Sequence, residues 1–125
     1  MQILITLNRK KILFYVNRYK QNYERVYHIN EWYTEGGVLI LGYDMYRNLS
    51  SETSRLKKKE KATVQQALVD PGPDLVVCDE GHLLKNSKTS LSKAVNRVKT
   101  LRRIVLTGTP LQNNLNECKC FFVCF

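Results

Sequence analysis

A chain of 125 residues, 43% apolar and 25% charged, has the length for one modest domain with a core and the composition of a water-soluble globular protein. Its formal charge of +9 favours a polyanionic partner such as nucleic acid, the alternative being a basic surface that serves solubility. No apolar run is long enough to span a membrane, and Met1 to Val16 lacks a small-residue cleavage pattern, so neither a membrane segment nor a signal peptide is expected.

Residues 1–10 carry no readable pattern. Lys11 to Val16 (KILFYV) reads as a short strand. Asn22 to Tyr33 reads as a helix with Tyr23, Val26 and Tyr27 on one face and Trp32 and Tyr33 near its end, before Gly36-Gly37 breaks the chain. Val38 to Leu41 is a buried-strand candidate, and Gly42 to Arg47 opens a short helix or turn. Ser50 to Lys61 is polar and basic, which fits a solvated segment or a nucleic-acid-facing loop. Ala62 to Val69 can be helical, and Asp70-Pro71-Gly72-Pro73 ends it because proline cannot continue the hydrogen-bond ladder.

The most informative stretch comes next. Leu75-Val76-Val77-Cys78 predicts a strand buried on both faces, and it runs directly into Asp79-Glu80-Gly81-His82. Adjacent carboxylates at a strand end are costly to bury unless they pair, and a metal ion would serve. An Asp in this setting can hold Mg²⁺, usually through water, and a neighbouring Glu can act as general base on an attacking water. Taken alone, the same pair also fits a solvated loop.

Ser87 is a candidate cap for a following helix whose apolar face is Leu91, Ala94, Val95 and Val98. Arg102 to Leu106 reads as a strand leading into the small-polar turn Thr107-Gly108-Thr109-Pro110. Between Glu80 and Glu117 stand seven Lys or Arg and no acidic residue, a one-signed field that strengthens the expectation of a polyanionic partner. Alternating strands and helices predict an α/β fold with a parallel sheet, whose ligands sit at the carboxyl ends of the strands. Cys118, Cys120 and Cys124 crowd the last eight residues. Their spacing fits no common zinc pattern, and free thiols in a reducing compartment are the preferred reading.

Asp79-Glu80-Gly81-His82-Leu83-Leu84-Lys85-Asn86 resembles motif II of the SNF2 family, a DEAH-type Walker B box. Leu106-Thr107-Gly108-Thr109-Pro110-Leu111-Gln112-Asn113 is similar to that family's motif III, at the family's distance down the chain. Gly81, where most members carry Ala, together with residues 35–49 and 67–74, resembles the ATRX-like subgroup of chromatin remodellers. The resemblance covers residues 31–117 closely and 11–30 loosely; residues 1–10 and 118–125 are not matched. It implies that 1–125 is part of the helicase ATP-binding (SNF2 N-terminal) domain, an incomplete three-layer, parallel-sheet RecA-like lobe of the P-loop NTPase type. It also implies a nuclear, DNA-dependent ATPase that moves along double-stranded DNA and remodels nucleosomes, with ATP and Mg²⁺ as cofactors. By resemblance Asp79 holds Mg²⁺ and Glu80 polarises the hydrolytic water. His82 links motif II to the coupling loop of Thr107, Gly108, Thr109 and Gln112. Tyr43 and Arg47 lie in the DNA-contacting motif Ib, although packing against the sheet is an equal alternative for Tyr43 and Tyr46.

The departures are as informative. No Gly-x-x-x-x-Gly-Lys-Ser/Thr phosphate loop occurs in the 125 residues, so no lysine and no nest of N–H groups is available for the β- and γ-phosphates. The family's Q motif, motif Ia and second lobe are not found either, and CKCFFVCF after Glu117 departs from the pattern. These features are expected of a truncated gene model or alternative transcript, inactive as an ATPase by itself. A non-catalytic DNA- or partner-binding fragment is the competing expectation. A third is poor folding, from strand edges exposed by a missing central strand and from the apolar tail Phe121 to Phe125.

Overall fold

A computed structural model describes residues 2–7 as backbone and residues 13–106 in full. Five strands form one sheet: β1 (Gln2–Leu7), β2 (Leu13–Tyr15), β3 (Gly37–Gly42), β4 (Leu75–Cys78) and β5 (Arg103–Val105), in the order β2-β3-β1-β4-β5. Helix α1 (Asn22–Glu35) joins β2 to β3. Helices α2 (Tyr43–Ser50) and α3 (Lys58–Leu68) join β3 to β4, and α4 (Ser90–Asn96) joins β4 to β5.

The expected parallel pairings occur twice, β2 with β3 and β4 with β5. The centre of the sheet departs from expectation. β1, from the segment that carried no readable pattern, lies between β3 and β4 and runs antiparallel to both. Only residues 8–12 separate β1 from β2. A parallel crossover needs about a dozen residues or more, so a strand this close in sequence to β2 can flank β3 only by reversing direction. The sheet is therefore mixed, and the expected gap at its centre is closed.

Burial also differs from the expectation for β4. Val76 and Cys78 are buried, whereas Leu75 and Val77 are half-buried, and β3 alternates in the same way. The register explains this: Leu41 and Cys78 both face Ile3, and Leu39 and Val76 both face Ile5, so the four buried side chains share one face. That face joins a core completed by Trp32, Tyr46, Val64, Leu68 and Val95.

α1 buries Val26, Ile29 and Trp32, not Tyr23 and Tyr27, which are 64% and 65% exposed. Ile29 and Trp32 rotate the buried stripe, and tyrosine tolerates a wet face because its ring carries a polar tip. The Trp32 indole N–H donates to Gly37 O at 3.0 Å, fixing the helix against the start of β3. α3 begins earlier than expected, so the basic stretch is partly its first turn. There the Glu60 carboxylate accepts the Lys57 N–H at 2.8 Å, which offsets lysines placed unfavourably at a helix N-terminus. Beyond α3 the Gly72 N–H donates to Gln66 O at 3.0 Å, with Gly72 at φ 70°. α4 is capped by Thr89 rather than Ser87: its hydroxyl accepts the Ser92 N–H at 3.2 Å. Ala94, Val95 and Val98 are buried as the spacing required.

Candidate functional site

The site is built where β4 ends. Leu106 N–H donates to Cys78 O at 2.8 Å, and Gly81 N–H donates to Leu106 O at 2.9 Å. These two bonds lace the loop after β4 to the residue that follows β5. Between them the chain turns sharply, with Glu80 in the left-handed region at φ 51° and ψ 49°, and continues as a short 3₁₀ turn, Gly81–Leu84.

Asp79 is exposed, and one of its carboxylate oxygens accepts the Glu80 N–H at 3.0 Å. Glu80 reaches His82, with its carboxylate 3.1 Å from Nδ1 and both side chains a little under half exposed. The three residues singled out in the sequence thus form one cluster at the carboxyl end of a strand, open to solvent. Glu80 and His82 approach each other because the left-handed turn folds the chain back.

Tyr43, the first residue of α2, meets this cluster from the other side. Its ring is 5% exposed, and its hydroxyl donates to the Asp79 carbonyl at 2.5 Å. Burial, followed by the neighbouring Cys78 and then the charges of Asp79 and Glu80, pushes the phenol's pKa far above its ordinary value. The packing alternative describes this ring, which is not at the surface. Nothing in the sequence names the hydroxyl's partner, because the two residues stand far apart in the chain.

Arg47 lies one turn further along α2 and is partly exposed. It pairs with Asp44 at 3.1 Å and donates to Ser90 Oγ at 3.4 Å. Beside this helix, past the ends of β2 and β3, a cleft of about 600 Å³ is lined by Asn17, Arg25, Asp44, Asn48 and Arg55 among others. Thr107, Gly108, Thr109 and Gln112, like Cys118, Cys120 and Cys124, lie outside the described residues. Among the described residues, no group of three or more His, Cys, Asp or Glu stands ready to hold a metal ion, and no helix is long and apolar enough to cross a membrane.

The profile of the SNF2-related domain matches residues 2–123. The chain belongs to this family. It is 64% identical over 115 residues to the transcriptional regulator ATRX homolog of Drosophila melanogaster, covering 90% of this chain and 9% of that protein. It is 54% identical over 101 residues to the transcriptional regulator ATRX of Homo sapiens, covering 81% and 4%. Against helicase ARIP4 of Xenopus tropicalis the identity is 44% over 115 residues, covering 74% and 8%. The chain therefore spans less than a tenth of the length of these curated relatives.

Proposed function

We propose that this SNF2-related segment belongs to the first RecA-like ATPase lobe of a nuclear translocase that moves along double-stranded DNA in chromatin. The observation that carries the reading is the open carboxylate cluster of Asp79 and Glu80 at the end of β4, tied by main-chain bonds to the point where the motif III sequence begins. In open α/β sheets this end of the strands is where ligands bind.

Asp79 fits Mg²⁺. It presents an exposed carboxylate at the carboxyl end of a strand, and Mg²⁺ is an ion held by one or two carboxylates while it keeps several waters and takes other ligands from phosphates. Bound there, the ion would neutralise phosphate charge. Glu80 would orient water, and its contact with His82 fixes where its carboxylate points. ATP itself fits less well, because the 125 residues contain no phosphate-loop motif to cradle its phosphates. No hydrolytic step is assigned to this polypeptide by itself.

That same missing motif favours a second reading for the isolated chain, a DNA- or partner-binding piece without turnover. The test for both is duplex-DNA binding by fluorescence anisotropy over a salt series, with ATP turnover measured in parallel. The expected result is a steep fall in affinity with salt and no turnover. Arg47→Ala should lower affinity and flatten the log–log slope by about one. Absence of binding at low salt would remove DNA from the reading. DNA-stimulated turnover abolished by Glu80→Gln would instead reject the binding-only alternative.

A further inference from the structure

The peptide group between Asp79 and Glu80 is held at both ends. Its carbonyl oxygen accepts the Tyr43 hydroxyl, and its N–H donates to the Asp79 carboxylate at 3.0 Å. Glu80, on one side of this plane, sits in the left-handed region, a sparsely populated conformation that persists where its surroundings enforce it. Rotation of that single plane would move both carboxylates. A phenylalanine would supply the same buried ring as Tyr43, so packing alone does not account for the hydroxyl. A buried hydroxyl needs a partner, and this one donates to the main chain of the carboxylate pair, with the Cys78 side chain as a second hydrogen-bonding neighbour.

Tyr43 also opens the helix that carries Arg47, whose partly exposed guanidinium is bonded to Asp44 and Ser90. We infer that Tyr43 is a positioning residue, coupling α2 to the orientation of the Asp79–Glu80 peptide through its hydroxyl, so that a polyanion seated on α2 sets the placement of the two carboxylates. The clause about the polyanion rests on the function proposed above; the grip on the peptide does not.

The experiment compares the 125-residue chain with its Tyr43→Phe and Tyr46→Phe variants by NMR-detected amide exchange, first without and then with a short DNA duplex. Tyr46 is the control, since its hydroxyl donates to Leu68 O at 3.3 Å, away from the site. Without DNA, Tyr43→Phe should speed exchange at Glu80 and Gly81 about three- to tenfold, the factor expected for one lost hydrogen bond, and leave β3 and α3 unchanged. Tyr46→Phe should leave Glu80 and Gly81 unchanged. Equal exchange at these two amides in wild type and Tyr43→Phe overturns the inference. So does a speed-up that is not confined to these two amides, with all amides of Tyr43→Phe accelerating together, because that is loss of general packing.

With duplex added, the amides of Arg47 and Glu80 should both shift in the wild type, and only that of Arg47 in Tyr43→Phe. A Glu80 response that survives in Tyr43→Phe overturns the coupling. A wild-type Arg47 amide that ignores the duplex overturns the nucleic-acid reading and the polyanion clause with it, while the DNA-free exchange still decides the grip.

Discussion

Glu80 combines the most consequential side chain of the site with a strained backbone. Left-handed geometry costs a residue with a Cβ roughly 1 kcal/mol more than it costs glycine. The contact with His82 is lost equally in Glu80→Ala and Glu80→Gly, so comparing these two variants isolates the backbone. Urea unfolding should find Glu80→Gly more stable than Glu80→Ala by about 1 kcal/mol. Equal stabilities would mean that the loop relaxes out of the left-handed region once the carboxylate is gone. Tyr46 supplies a second test, through pH. Burial raises its phenol's pKa far above the ordinary value, against a smaller opposing effect of Arg97 and Arg103. A raised folded-state pKa means that the phenol's contribution is fully present below the unfolded value of about 10 and is lost as pH climbs from there. Above about pH 10, wild-type stability should fall by up to about 1.4 kcal/mol per pH unit more steeply than that of Tyr46→Phe. Parallel curves for the two proteins in denaturant melts would contradict the burial of that hydroxyl.

Among the elements, those with strong local punctuation were legible in the sequence. β4 is four apolar residues between Asp74 and Asp79, and its bounds follow from the chain alone. The face of α4 follows from helical spacing. The stripe of α1 was harder to read, since tyrosines suit wet and dry positions alike and only the packed core decides between them. Of the site, the cluster formed by Asp79, Glu80 and His82 could be read because its residues are neighbours in sequence. The Tyr43 hydroxyl bond could not, because it depends on how α2 docks. The same limit hides Arg97, which holds two helices together from a position in a one-signed basic stretch. Its guanidinium donates to Ser50 O at 2.8 Å and to Gln65 Oε1 at 3.0 Å, while Gln65 Nε2 donates to the same Ser50 carbonyl at 2.7 Å. This fork joins the end of α2 to α3, and an ammonium cannot reproduce it. Arg97→Lys should therefore cost about 1–3 kcal/mol in equilibrium unfolding. A cost below a few tenths would show the fork to be incidental.

At the scale of the whole molecule, the sheet depends on the strand that no sequence pattern announced. β1 is in register with six residues of β3 and with Leu75 to Cys78 of β4, and among the described residues no other strand joins those two. Without β1 the sheet separates into two parallel pairs, β2 with β3 and β4 with β5, each in register over only three residues. Two-stranded pairs of that length are marginal in water, and the separation would uncover a long edge of β3 whose N–H and C=O groups lack partners. The carboxylate cluster would suffer too, since its loop hangs on Cys78 O and Leu106, both belonging to the pair cut away from α2's strand. Deleting residues 2–7 should thus abolish cooperative thermal unfolding by circular dichroism and send the protein to the void volume in gel filtration. Replacing the same segment with a β-rich apolar sequence of equal length should restore the melt, because backbone pairing is the contribution at issue. If the deletion variant instead melts cooperatively near the wild-type temperature, β3 and β4 close on each other directly, and the helices rather than the central strand hold the fold together.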